Sequence, residues 1–273
     1  MKTGLFKVEG SGNDFVLGLG AWAARLAAEP ALVRRLCDRR RGIGADGVLA
    51  VHAESERRAR VTYRNADGSL GDFCANGTRC AARAAVELLG CRSELTVATG
   101  WTEIPARVDG AEVCLELPPP DAGPTRPAIE ARAPLRSFLY LELGVPHLVV
   151  ALSGPLADLE LAAVAPPLRA HPALGPGGAN VDFFEAAGDG LVAVRTWERG
   201  VEGETLSCGS GMVAVALTVM AERGVRELGL RPASGDLLRV EALGEPPACA
   251  ARLTGPARFV AEIHPTDELL AGL

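Results

Sequence analysis

The chain has 273 residues, enough for one large domain or two ordinary ones, and 48% hydrophobic against 23% charged residues is the balance of a well-cored globular protein. A net charge of −6 with no basic block argues against nucleic-acid binding. The opening "MKTGLFKVEGSGND" has no apolar signal region, and no apolar run approaches the roughly 18 residues of a membrane span, so a cytoplasmic protein with no membrane partner is expected.

In chain order, the first punctuated element is the turn "SGND" (11–14), where Asn13 sits among turn-forming residues. "GIGADG" (42–47) has the glycine spacing of a phosphate loop but runs on into the apolar, strand-like "VLAV" with no following helix, so no nucleotide site is expected. A strand "ARVTYR" (59–64) leads through Asn65 and a glycine-bearing polar loop to the turn Cys74-Ala75-Asn76-Gly77. A helix is expected from 78 to about 89, apolar on nearly every face and stopped by Gly90. The strands "SELTVAT" (93–99) and "AEVCLEL" (111–117) follow, and the proline-rich segment 118–134 reads as a linker.

The second half runs through "PHLVV" (146–150), "NVDFF" (180–184) and the strand "LVAVRTW" (191–197) to Glu198, Arg199 and the polar loop before Cys208. Cys208-Gly209-Ser210-Gly211 again opens a helix, expected over 211 to about 222 and stopped by Gly224. Strand, turn, strand, polar loop, Cys-x-x-Gly and helix therefore occur twice, with Asn65 nine residues before one cysteine and Glu198 ten before the other. The expected halves are 1–118, with the tail 263–273, and 119–262. The expected fold is α/β (α+β): two pseudo-symmetric domains, each a mostly antiparallel barrel-like sheet wrapped round one buried helix.

Seven cysteines with no Cys-x-x-Cys pair, and four scattered histidines, support neither a disulfide framework nor a zinc site, so no metal is expected. Cys37, Cys80, Cys91, Cys114 and Cys249 read as buried small apolar residues. Only Lys2 and Lys7 are lysines among the 28 Lys and Arg residues, and both lie too close to the N-terminus to be good Schiff-base candidates. Cys74 and Cys208 are different. A thiol at a helix start faces free N–H groups and the positive end of the helix dipole, which favour a thiolate and can also hold a carboxylate. Two such thiols approaching one carbon from opposite faces can invert it: one removes the proton and the other returns one. A dithiol redox protein is the competing class, but the distance in sequence between the two cysteines argues against it.

With "SGNDFVL" (11–17), "GIGADGVL" (42–49), "NADGSLGDFCANGTRC" (65–80), "PHLVV", "NVDFF", "ERGVEGET" (198–205) and "SCGSG" (207–211) in this order, the chain resembles the diaminopimelate epimerases along nearly its whole length. The resemblance implies cofactor-independent interconversion of LL- and meso-diaminopimelate in lysine and peptidoglycan precursor biosynthesis, by a homodimer. It implies Cys74 and Cys208 as the catalytic pair and His147 and Glu198 as polar supports. It implies Asn13, Asn65, Asn180, Glu198 and Arg199 as substrate contacts, with Ala75, Asn76, Gly77, Gly209 and Ser210 forming two carboxylate-holding turns. Ala75 stands where the family often has glycine, Ser210 where threonine is common, and Val145 where many members have asparagine; the loop before Cys208 is one residue longer than usual. Val145 keeps open a second reading, a racemase of another amino acid such as histidine on the same scaffold.

Overall fold

The computed structural model describes residues 2–186 and 190–271. It divides into two units, Met1–Leu115 with Gly255–Leu273, and Glu116–Thr254. The first unit is built from β1 (Gly4–Gly10), β2 (Asn13–Leu19), α1 (Ala21–Ala28), α2 (Pro30–Cys37), β3 (Gly47–Ser55), β4 (Arg58–Asn65), β5 (Leu70–Gly71), α3 (Ala75–Leu89), β6 (Glu94–Ala98), β7 (Glu103–Asp109) and β8 (Glu112–Leu117). The second contains β9 (Ala122–Thr125), β10 (Leu135–Glu142), β11 (Pro146–Leu152), α4 (Leu161–Arg169), β12 (Asn180–Ala186), β13 (Val192–Glu198), β14 (Gly203–Thr205), α5 (Gly209–Arg223), β15 (Glu227–Arg231), β16 (Leu238–Ala242) and β17 (Ala251–Pro256). The chain ends with β18 (Arg258–Ile263) and α6 (Asp267–Leu270).

The pairing repeats strand for strand. In the first unit β1–β2 is antiparallel, β2–β3 parallel, β3–β4 and β4–β5 antiparallel, β4–β6 parallel, and β6–β7–β8 an antiparallel meander. In the second, β10–β11, β11–β12, β12–β13, β13–β14, β13–β15 and β15–β16–β17 follow the same sequence of senses. The sheet is mostly antiparallel in each unit, and a long helix sits between the short fifth strand and the sixth. The fold is the expected α+β duplication.

Two boundaries differ from the sequence reading. Residues from 255 onward, not from 263, belong with the first unit, because β18 pairs along β1 from Leu5↔Ile263 to Glu9↔Arg258. β18 thus flanks β1 as β9 flanks β10, so the return of the tail completes the repeat. The supposed linker also carries β9, which makes part of it sheet.

The two long helices begin earlier than their hydrophobic runs suggest. Cys74 and Cys208 are the extended N-cap residues, and Thr78 N–H and Met212 N–H already donate to their carbonyls at 2.8 and 2.9 Å. Ala75-Asn76-Gly77 and Gly209-Ser210-Gly211 are therefore first-turn residues, with N–H groups that have no intrahelical acceptor. Gly90 and Gly224 close the helices in the left-handed conformation that glycine adopts without strain. α5 is buried continuously from Gly209 to Met220. At α3 the burial relaxes toward the C-terminus, where Glu87 is exposed.

Leu26, Leu32 and Leu36 of α1 and α2 pack with Val16 and Val48 of the first sheet, and Leu161 and Leu168 of α4 pack with Val150, Val181 and Phe183 of the second. Each such side chain contributes about 1.5–3 kcal/mol on burial, which holds the strands that carry the polar residues described below. Cys37, Cys80, Cys91 and Cys249 are buried as expected, but Cys114 is only half-buried. Strand alternation in β8 turns Val113 and Leu115 inward and puts Cys114 on the other face.

Candidate active site

In the first unit the Cys74 sulfur lies at the start of α3, where the Gly77 N–H donates to it at 3.4 Å. The thiol reaches Asn13 Oδ1 at 3.5 Å. Asn13 is itself oriented by donating Nδ2 to Asp46 Oδ2 at 2.7 Å, so the "GIGADG" segment serves to aim an amide. The turn before Asn13 is held from α3: Ser11 is buried in a positive-φ conformation, and Arg79, fully buried two residues after Gly77, donates to its hydroxyl at 3.0 Å. Arg79 also donates to the Pro256 carbonyl at 3.2 Å. Beside this lies an ion cluster in which Lys7 and Arg39 pair with Asp14. Burial alone would raise the Asp14 carboxyl, but the hydrogen bonds and charges of Arg39 and Lys7 win and hold it at about 2.

In the second unit four buried polar side chains form a continuous chain. Cys208 Sγ lies 3.6 Å from Ser210 Oγ, Ser210 Oγ lies 2.9 Å from His147 Nε2, and His147 Nδ1 lies 2.7 Å from Asp182 Oδ2. Asp182 Oδ1 accepts from the Thr196 hydroxyl at 2.7 Å. His147 and Asp182 are fully buried. β11 and β12 run parallel and side by side, and α5 crosses them close enough that a Cβ on Gly211 would stand 2.2 Å from Asp182 Oδ1. Only glycine allows that approach. Burial pushes the Cys208 thiol well above its ordinary value, the charges of Glu198 and Asp182 add to this, and the Ser210 hydroxyl opposes it.

Next to this chain, Asn180 pairs in register with His147, and its Oδ1 accepts the Arg199 backbone N–H at 2.7 Å. The Arg199 guanidinium has no carboxylate partner among the described residues. Glu198 ends β13 opposite Gly203. Asn65 is engaged locally, with Nδ2 on Ser69 Oγ at 3.0 Å.

The structure thus brings Asn13 and Gly77 to Cys74 in one unit, and Ser210 and His147 to Cys208 in the other. For Asn65 the contact described is the local one to Ser69. Asp182, Thr196, Asp46 and Arg79 were not singled out from the sequence. The available signal for Asp182 was a carboxylate inside the apolar run "NVDFF", since a charge in such a strand needs a partner. Among the described residues no group of three or more His, Cys, Asp or Glu side chains is arranged to hold a metal ion.

The sequence model of the family described as "Diaminopimelate epimerase" matches residues 5–115 and 139–260. A curated diaminopimelate epimerase of Gemmatimonas aurantiaca is 39% identical over 214 residues, covering 77% of each chain. One from Archaeoglobus fulgidus is 37% identical over 233 residues, covering 79% of this chain and 81% of its own. Among solved structures, a hydroxyproline epimerase from Agrobacterium vitis superposes with a TM-score of 0.69 at 17% identity, over 95% of this chain and 90% of that one. A phenazine biosynthesis protein of the PhzF family from Enterococcus faecalis gives 0.71 at 14% identity, over 96% and 98%. At these identities the structural likenesses show the fold alone.

Proposed function

Since the chain belongs to the diaminopimelate epimerase family, we propose that it is the isomerase that interconverts LL- and meso-diaminopimelate, using Cys74 and Cys208 as a two-base pair. The observation that carries this reading is the duplication of one device: a thiol as N-cap of a buried helix, once in each unit. One thiolate takes the α-proton, and the opposing thiol protonates the other face. The negative charge that develops next to the substrate carboxylate is met by the first-turn N–H groups of Ala75, Asn76 and Gly77 and of Gly209 and Ser210. Donors fixed in this way stabilise charge without reorganising, which is commonly worth about 10²–10³ in rate for each donor.

Glu198 accepts from the substrate ammonium, and Asn13, Asn65 and Asn180 bind its polar groups. Arg199 pairs with the distal carboxylate, a role supported by a guanidinium that has no carboxylate partner among the described residues. The enzyme acts as a cytoplasmic homodimer and needs no organic cofactor, since thiols and N–H groups supply every proton and every charge contact in the scheme.

The test is solvent-deuterium uptake at the α-carbon of LL-diaminopimelate, with formation of the meso form, in wild type and in Cys74→Ala and Cys208→Ala. Each variant is expected to fold and to lose at least about 10³-fold in turnover, given that general acid–base groups contribute 10²–10⁴ each. Substantial epimerisation by either variant refutes the two-base scheme. Comparable wild-type rates on L-lysine or L-histidine would refute the substrate assignment.

A further inference from the structure

We propose that Asp182 is a positioning residue that fixes the proton arrangement of His147, so that Ser210 relays the Cys208 proton to the imidazole. The proposal rests on the reading of Cys208 as a reacting thiol. It adds a residue, a direction and an intermediary hydroxyl to that reading.

The direction follows from donor and acceptor counting. A carboxylate can only accept, so Asp182 Oδ2, 2.7 Å from His147 Nδ1, requires the proton on Nδ1. The Thr196 hydroxyl on Oδ1 keeps the carboxylate from rotating away. A neutral imidazole protonated at Nδ1 presents a bare Nε2, which accepts from the Ser210 hydroxyl at 2.9 Å. With its own proton committed to His147, Ser210 Oγ offers its lone pairs to the Cys208 thiol at 3.6 Å. Each group in the chain then donates to the next: Cys208 to Ser210, Ser210 to His147, and His147 to Asp182.

Ionisation of Cys208 is a shift of two protons along this chain. The S–H proton passes to Ser210 Oγ as the Ser210 proton passes to His147 Nε2. The products are a thiolate, an unchanged serine, and an imidazolium held against the Asp182 carboxylate. No charge is created without a partner, and no group outside the chain is required. When Cys208 takes a proton from substrate it becomes a thiol again, and the imidazolium keeps its own proton against the Asp182 carboxylate while the negative charge sits on the substrate carbanion. A buried thiol with two carboxylates near it needs such an acceptor, because direct ionisation would leave a bare anion in a site that resists it.

Other ionisable groups bear on the site from neighbouring strands. Glu198 on β13 acts on Cys208. On β10, which pairs with β11, Tyr140 is bonded to Glu142 and is also felt by Arg199.

The experiment compares wild type, Asp182→Asn, Ser210→Ala and Ser210→Thr by three measurements. The first is the tautomer of His147, read from two-bond ¹⁵N–¹H couplings and assigned with His147→Gln. The second is the pH midpoint of Cys208 alkylation by iodoacetamide, followed on its peptide. The third is kcat and KM. Wild type should show His147 protonated at Nδ1. In Asp182→Asn the amide can donate to Nδ1, which moves the ring proton to Nε2 and closes the acceptor that Ser210 needs.

The alkylation midpoint of Cys208 should then rise by about one pH unit, while that of Cys74 stays put. This sign discriminates: if Asp182 were only a nearby negative charge, removing it would lower the Cys208 midpoint. Ser210→Ala should reproduce the rise and Ser210→Thr should reverse it, and both kcat values should follow with KM within about twofold. An Nε2-protonated histidine in wild type, or a midpoint that is unchanged or lowered in Asp182→Asn or Ser210→Ala, overturns the relay. If Asp182→Asn does not fold, the Ser210 pair decides alone. The tautomer and alkylation measurements need no substrate, so they stand or fall independently of the diaminopimelate assay.

Discussion

Gly211→Ala puts a methyl group into the contact between α5 and Asp182. The added Cβ would lie 2.2 Å from Asp182 Oδ1, 2.9 Å from its Cγ and 3.1 Å from its Oδ2. Reaching an ordinary contact near 3.4 Å requires a relative movement of about 1.2 Å from the nearest oxygen. Both oxygens are held by 2.7 Å hydrogen bonds, so a shift of that size along either bond carries it to about 3.9 Å and breaks it. A buried hydrogen bond to a charged group is worth roughly 1.5–3 kcal/mol. Overpacking the α5–β12 contact adds roughly 1–3 kcal/mol. Replacing glycine by alanine in a helix returns about 1 kcal/mol. The net expectation is a loss of about 2–4 kcal/mol, equivalent to a fall in Tm of roughly 5–15 °C for a chain of this size.

Urea unfolding and calorimetry of the single variant measure that loss, and a double-mutant cycle tests its cause. In an Asp182→Ala background the carboxylate is gone, and Gly211→Ala should be close to neutral or slightly stabilising. A wild-type background indifferent to Gly211→Ala, or an equal loss in both backgrounds, refutes the contact as the reason this position is glycine.

Acid should unmake the Asp14 cluster. The folded pKa of about 2 lies below the ordinary 3.8, so its stabilisation is complete above pH 3.8 and lost as pH falls toward 2. The difference corresponds to roughly 2 kcal/mol, and wild type and Asp14→Asn should converge in urea midpoint between pH 5 and pH 2; parallel curves would contradict the ion cluster. Arg199→Met should lower kcat/KM for LL-diaminopimelate by about 10²–10³, as expected for loss of a charge-assisted bidentate partner. Any slow turnover of L-lysine, which lacks the distal carboxylate, should be unaffected, and an equal fall on both substrates would remove Arg199 from the distal site.

What the sequence made legible is whatever depends on local chemistry. The two helix starts could be read because a Cys-x-x-Gly turn before an apolar run and a glycine after it are local signals, and the same signals appear twice. Only the first residues differ, since Ala75-Asn76-Gly77 and Gly209-Ser210 carry little hydrophobic character to mark them as helical. What stayed hidden depends on partners far apart in the chain. The boundary at 255 is set by the pairing of β18 with β1, nearly the whole chain away, and no feature of residues 255–262 announces it.

Asp182 was hidden for the same reason: its partners His147, Thr196 and Gly211 come from three other segments. Duplication explains why the two sites are not copies. It supplies each unit with a thiol at a helix start, but it leaves each free to choose the partner of that thiol. In the first unit the partner is the Asn13 amide aimed by Asp46, which can accept the thiol's hydrogen bond but cannot take up its proton at neutral pH. In the second it is a hydroxyl backed by an imidazole and a carboxylate, which can take up a proton and keep it. Two helix-start thiols of unlike proton supply suit the two-base reaction proposed above, in which at any moment one thiol must be ionised and the other must not.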